Sequence, residues 1–109
     1  MVQCDVSESG TAVELRISGD VDVANVLALQ EQVASVIAIG RDLIVDLDAV
    51  TRLDGAGVQL LVSLLTFVTR NGGAMSVVAN ADVPKHALEM AGAMPVLCPS
   101  DLPRDSVAQ

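Results

Sequence analysis

Residues 43–61 read LIVDLDAVTRLDGAGVQLL, a stretch that predicts a strand, a short acidic loop and a helix in direct succession. Its start is rich in leucine and β-branched residues, as in a buried strand, and the apolar pattern after Gly57 is long enough for a helix. Asp54 is the predicted N-cap, because its carboxylate can accept a backbone N–H two or three residues on. Gly55 and Gly57 allow another backbone to approach closely. We therefore expect Asp54, Gly55, Ala56 and Gly57 to lie exposed at a helix N-terminus, where a functional site should be sought.

Outward from this stretch the chain alternates between predicted strands and helices. Upstream, residues 2–7 and 13–18 predict two strands joined by the turn at 8–11, and these should pair as a hairpin. The first helix is expected to run from an N-cap at Asp22 to a stop at Gly40. The other predicted elements are a helix at 57–70, a strand at 75–79, a third helix with Asp82 or Val83 as its N-cap and a stop at Gly92, and a short last strand at Val96 and Leu97. The crossover helices imply parallel strands.

The second predicted helix carries one narrow polar stripe. Four of its polar residues recur at spacings of four, three and four: Gln59, Ser63, Thr66 and Arg70. The rest of the helix is apolar or small, which is a wider arc than one face of a sheet covers. The first and third helices are expected to pack on its flanks, and part of the arc, around Val58, Val62 and Leu65, is a candidate docking surface; the two expectations are compatible.

Length and composition agree with one small domain. The chain has 109 residues, of which 51% are hydrophobic, and it can bury a single core. Phe67 is the one aromatic residue, so the core must consist of aliphatic side chains. We expect a domain at residues 1–98 and a C-terminal tail at residues 99–109.

Charge and hydropathy narrow the range of partners. A net charge of −8 opposes binding to a phosphate backbone, and base-stacking aromatics are missing, so nucleic acid is not expected. No segment approaches the roughly 18 apolar residues of a spanning helix, and Gln3, Cys4 and Asp5 do not suit a signal peptide. We therefore expect a cytoplasmic protein without membrane insertion. Cys4 and Cys98 lack metal-ligand or redox spacing and predict two reduced thiols.

Three segments together resemble the STAS domain family, the bacterial anti-sigma factor antagonists. The family pattern is a strand ending in Asp-Leu, a short spacer and then Asp-Ser-Ser/Ala-Gly-Leu; here Asp46 and Leu47 are followed by DGAGV at 54–58. ISGDVD at 17–22 is similar to the family's turn into the first helix, and PKHALEMAG at 84–92 is similar to its third helix. The resemblance implies an α/β fold: a single STAS-like domain with a mixed four- to five-stranded sheet and helices packed mainly on one face.

One position departs from that pattern. The residue after Asp54 is usually the Ser or Thr that a partner kinase phosphorylates, and here it is Gly55. Glycine has no hydroxyl group, so no phosphate can be attached there. Thr51 and Ser63 are the nearest hydroxyl groups, but Thr51 precedes the motif and Ser63 lies within the predicted helix. Neither replaces the missing residue.

The resemblance also implies a recognition face and a partner. The face would combine the turn at 20–25, the loop at 53–58 and the following helix. Its expected contact residues are Asp20, Asp22, Asn25, Asp54, Gly55, Ala56, Gly57, Val58, Gln59 and Val62. The partner would be an anti-sigma factor and serine kinase of the histidine-kinase-like ATPase class, and its binding would release the sigma factor. Without the phosphorylatable residue, we expect a constitutive antagonist or a paralogue controlled by abundance or by its partner's state.

Other uses of the fold stay open. STAS domains also occur as subunits of phospholipid-trafficking ABC transporters, where they bind the ATPase, and in chemotaxis and other signalling complexes; a homodimer is open as well. Asp46 and Asp48 resemble the aspartate pair of haloacid-dehalogenase-type phosphatases, but that chemistry needs a metal and further groups, and Lys85 is the one lysine. His86 is expected to be solvated. We expect no enzyme activity, no cofactor and no metal site.

Overall fold

The computed structural model describes residues 2–10, 12–35, 37 and 41–97. Its elements are β1 (Val2–Ser9), β2 (Ala12–Val21), α1 (Val26–Ala34), β3 (Asp42–Leu53), α2 (Gly55–Arg70), β4 (Met75–Val78), α3 (Asp82–Met90) and α4 (Met94–Leu97). The predicted tail at 99–109, Cys98 and the predicted helix stop at Gly40 lie outside the described residues. Within the described ranges, no helix is both long enough and apolar enough to span a membrane.

The strands of the described residues form one mixed sheet in the order β1-β2-β3-β4. β1 and β2 are an antiparallel hairpin, as predicted, with Cys4 opposite Ile17. β2, β3 and β4 are parallel, because a helix separates each strand from the next along the chain. The predicted α/β class and mixed sheet are therefore confirmed, with four strands.

The side-chain alternation along β2 gives the sheet one covered face. Val13, Leu15 and Ile17 are at most 4% exposed and pack in the same core as the buried residues of all four helices. Arg16 lies on the opposite face, where its Nε is 3.7 Å from Asp46 Oδ2 on the neighbouring strand. The helices thus cover one face, and the other face presents polar side chains.

α2 is the central helix of the covering layer. The four residues of its polar stripe are exposed. α1 packs on one flank, but the other flank is taken by α4, whereas α3 packs mainly on β3 and α4. Gly55 and Val58 of α2 line a groove together with α3 residues, so α3 also lies beside the start of α2. Val58 is buried, and Val62 and Leu65 are half-buried against the core, so most of this arc is covered by the fold itself.

β3 is much longer than predicted. The residues at 48–53, expected to be an acidic loop, continue the strand to Leu53. The reason is that β2 also continues to Val21, and the two strands stay paired, through two register shifts, up to the partners Val21 and Leu53. Val50 and Leu53 are buried, which stabilises the extension.

Two other boundaries differ from the sequence prediction. Val96 and Leu97 belong to the short helix α4 and do not form a strand; a short apolar run does not distinguish the two by pattern. The N-cap of α1 is Asn25, because the Asp22 carbonyl already accepts the N–H groups of Asn25 and Val26 in a preceding turn.

Candidate partner-binding site

Asp54 connects the beginning of α2 to the segment between β2 and α1. It is the N-cap of α2, as predicted: its Oδ1 accepts the N–H groups of Ala56 at 3.0 Å and Gly57 at 3.2 Å. Its Oδ2 accepts the N–H of Val23 at 3.1 Å. Both carboxylate oxygens therefore have backbone donors. Asp54 fixes the position of two segments that the sequence placed in one recognition face.

These contacts hold the Asp54 carboxyl in its ionised form. Desolvation acts to raise its pKa, but the N–H groups of Gly57, Val23 and Ala56, together with the positive charge of Arg52, outweigh that contribution. The pKa of Asp54 is therefore lower than its ordinary value. Hydrogen bonds donated to a carboxylate favour the charged state.

The lowered pKa predicts a pH-dependent effect of Asp54→Asn. The unfolded chain takes up the proton near pH 3.9 and the folded chain only at lower pH, so stability due to the ionised cap is complete above that value. This contribution to stability is lost as the pH falls through the lowered folded-state pKa of Asp54. Asp54→Asn keeps one capping oxygen but loses the oxygen that accepts the Val23 N–H. At pH 7 we expect it to reduce Tm by roughly 5 °C, and we expect the difference to shrink below about pH 4. Thermal unfolding of both proteins from pH 7 to pH 2.5 measures this.

Glu89→Gln serves as the control, because it removes one negative charge from an exposed position on α3. A similar change in both variants would mean that net charge, and not the cap, is responsible. If the difference in Tm between wild type and Asp54→Asn stayed constant down to the lowest pH, the stabilisation could not be assigned to the ionised carboxylate of Asp54.

Gly55 and Gly57 have opposite environments. A Cβ atom on Gly57 would lie 2.6 Å from Leu53 Cδ1 and 2.7 Å from both Val21 Cγ1 and the Val21 carbonyl oxygen. Gly57 is buried, so the prediction that it is exposed was wrong; the backbone that approaches it is that of β2. At Gly55 a Cβ atom would meet nothing within 4 Å, and the residue is exposed. The accessible point of the motif is therefore Gly55.

The three polar residues predicted in the β2–α1 segment hold that segment together. The Asn25 side-chain amide donates to the Asp20 carbonyl at 3.2 Å and to Asp22 Oδ1 at 3.1 Å. Asp20 Oδ1 accepts the Thr51 hydroxyl at 2.7 Å, which ties β2 to β3. Val23 is the large hydrophobic side chain that this segment exposes, with 73% of its surface accessible. Sequence reasoning did not single out this valine.

Asp46 and Asp48 have structural partners. Asp48 Oδ1 accepts the N–H groups of Asn80 at 2.7 Å and Ala81 at 2.9 Å, just before α3 begins. Asp46 Oδ1 accepts the N–H of Asp48 at 2.9 Å, and its other oxygen faces Arg16. This pair joins β3 to its neighbours. In the part of the chain that the structure describes, no three His, Cys, Asp or Glu side chains are grouped to hold a metal.

Comparison with known proteins decides the family. The model of the STAS domain matches residues 3–107, nearly the whole chain. This chain belongs to the STAS domain family. No curated protein matches its sequence significantly.

Solved structures share the fold of this STAS domain at low sequence identity. An anti-sigma factor antagonist from Mycobacterium paratuberculosis has a TM-score of 0.79 and 21% identity over 89% of this chain and 83% of that one. SpoIIAA, an anti-sigma factor antagonist in its unphosphorylated form, has a TM-score of 0.70 and 15% identity over 85% of this chain and 84% of its own. The STAS domain of an antisigma-factor antagonist from Rhodobacter sphaeroides has a TM-score of 0.55 and 18% identity, covering 72% and 84%. These likenesses show the fold.

Exposed apolar side chains of this STAS domain border Gly55 on two sides. Val23, whose N–H donates to Asp54 beside Gly55, is 73% exposed, and Leu27 of α1 is 72% exposed. Val83 and Met90 of α3 are 45% and 75% exposed, and they line a groove together with Gly55. The sequence carried a signal for the α3 pair, since a spacing of seven residues puts Val83 and Met90 on one helical face. Val23 precedes α1 and has no such signal. Sequence reasoning missed them because exposure depends on what the neighbouring elements leave uncovered.

Proposed function

We propose that this STAS domain is a non-enzymatic antagonist that binds an anti-sigma factor of the histidine-kinase-like ATPase class, and that binding releases the sigma factor. The observation that carries the proposal is the exposed, uncrowded N-terminus of α2 at Gly55, with apolar side chains uncovered on both sides. Contiguous exposed apolar surface is typical of protein interaction sites. The fold shared with anti-sigma factor antagonists supports the same proposal.

The contact residues of this face are proposed from the geometry. Gly55, Ala56, Gln59 and Val62 lie on α2 and have accessible surface, and Val23 adds an apolar contact. Asp20, Asp22, Asn25 and Asp54 position the backbone of the face, and Gly57 and Val58 support it from below. With a net charge of −8, the chain favours a partner with a basic surface, since complementary charge accelerates encounter.

Gly55 gives the proposed interaction its regulatory character. A phosphate group at this position would bring up to two negative charges and bulk into the centre of the face. Because glycine accepts no phosphate, the domain binds without that switch. Its control then comes from its abundance or from the state of the partner.

Affinity purification from the native cell, followed by calorimetry with the recovered partner, tests the proposal. We expect the wild-type domain to recover a histidine-kinase-like ATPase and to displace a sigma factor from it. Val23→Arg places a bulky charge on the face, and we expect it to weaken binding by at least about tenfold. Val96→Arg is the matched control, because Val96 is 52% exposed on α4 and outside this face.

Recovery of an ABC ATPase in place of the kinase-like protein would contradict the sigma-factor function and favour a transporter subunit. Equal binding by Val23→Arg and Val96→Arg would show that the partner uses another surface.

A further inference from the structure

The second half of β3 has a neighbouring strand on one side only. Residues 49–53 pair with β2, but β4 pairs with β3 only at Leu43 to Asp46. Among the described residues, therefore, no strand lies on the other side of residues 49–53. In a strand paired on one side, alternate N–H and C=O groups point away from the neighbour, and an unpaired edge of this kind can template a further strand.

A groove separates this edge from α3. It has a volume of about 510 Å³, and its two walls are the edge at Thr51, Arg52 and Leu53 and the side of α3. α3 begins beside the edge because Asp48 accepts the N–H groups that precede the helix. α3 also packs against β3, so the groove is the opening that remains between this edge and the exposed side of α3.

The α3 wall of the groove is apolar. Val83, Ala87 and Met90 lie at positions i, i+4 and i+7, on one face of the helix, and Val58 adds to the lining. No described element covers Val83 or Met90, which are 45% and 75% exposed. An apolar stripe beside a strand edge suits a segment that offers both backbone donors and apolar side chains.

The charges near the groove favour a basic occupant. Asp54 lines the groove itself, together with Arg52 and His86. Asp20 contacts the wall residue Thr51, and Asp82 and Glu89 lie with Lys85 around an adjoining pocket on α3. Arg52 and Lys85 are the two nearby cations, so the acidic groups are in excess, as they are over the whole chain. This charge complementarity selects basic side chains on the partner segment.

We propose that the groove receives an extended segment of the partner protein, with alternating apolar and basic side chains, which adds a strand beside residues 49–53 of β3. Successive side chains of a strand point to opposite faces. The apolar set then contacts Val58 and the α3 stripe, and the basic set faces the polar side of the sheet near Asp20. A helical segment does not fit this role, because its backbone groups are already paired. The inference deepens the proposed function by giving the partner a second, specific contact.

Titration of the isotope-labelled domain with the peptide acetyl-KVKVKVK-amide, followed by NMR, tests this contact. The control peptide has the same side chains but carries N-methyl groups at alternate residues, which removes the donors along one edge. We expect shifts at residues 49–53 and along α3. We also expect binding at least about tenfold weaker for the methylated peptide and for Val83→Arg, with Val96→Arg unchanged. Equal binding of the two peptides, shifts elsewhere, or a Kd above about 1 mM would overturn the inference.

The outcome is separable from that of the proposed function. If the peptide binds in the groove but no kinase-like ATPase is recovered, the groove inference stands and the proposed function fails. If the ATPase is recovered and lost with Val23→Arg, but the peptide fails and Val83→Arg still binds the ATPase, the function stands and the groove inference is overturned.

Discussion

Gly57→Ala is expected to destabilise the fold by about 2–4 kcal/mol, one of the two largest effects predicted for this domain. The added methyl group would lie 2.7 Å from the Val21 carbonyl oxygen, which belongs to the backbone of β2 and cannot rotate away as a side chain can. To avoid this clash, α2 would have to move away from the sheet, and that movement would also disturb the Asp54 contacts with Ala56 and Val23. Urea unfolding at pH 7 measures the change.

Gly55→Ala provides a matched control two residues away. The same methyl group meets no atom within 4 Å at Gly55, and alanine is the better helix former. We therefore expect the free energy of unfolding of Gly55→Ala to equal that of wild type or to exceed it by up to about 1 kcal/mol. Similar losses for the two variants would mean that helix–sheet contact at Gly57 is not the cause, and that the α2 N-terminus tolerates no side chain at all.

Gly55→Ser is expected to create a phosphorylation switch that the natural chain lacks. The site is exposed and has room for the hydroxymethyl group, so folding should be unchanged. If the partner is the kinase-like ATPase that we propose, it should transfer phosphate to Gly55→Ser and none to wild type. The phosphorylated form should bind at least about 100-fold more weakly, because a dianion would stand between the apolar side chains of the face. Mass spectrometry and calorimetry with the purified partner measure both steps.

Ser63→Ala in the Gly55→Ser background shows whether a phosphate is on the new serine or within α2. Phosphate on wild type, or undiminished binding by phosphorylated Gly55→Ser, would contradict the assignment of Gly55 to the centre of the face. Either result would mean that the partner binds another surface of the domain.

The N-cap and the polar stripe of α2 could be predicted because both depend on residues close together in sequence. Asp54 caps α2 through donors two and three residues on, and Gln59, Ser63, Thr66 and Arg70 share a face at helical spacing. The third bond of Asp54, to Val23, could not be predicted, because 31 residues separate the two. The hydrogen bond between Asp20 and Thr51 could not be predicted for the same reason.

The sequence by itself therefore determined the order of the first strands and helices, the parallel crossovers, the start of α2 and the absence of a hydroxyl group at Gly55. Tertiary structure decided the rest. β3 continues to Leu53 because β2 runs beside it to Val21. Val96 and Leu97, whose apolar run predicted a strand, belong to the helix α4. Gly57 is buried and Gly55 exposed, although both are glycines of one motif, because only Gly57 faces β2. Long-range pairing and burial depend on which surfaces meet, and no local pattern contains that information.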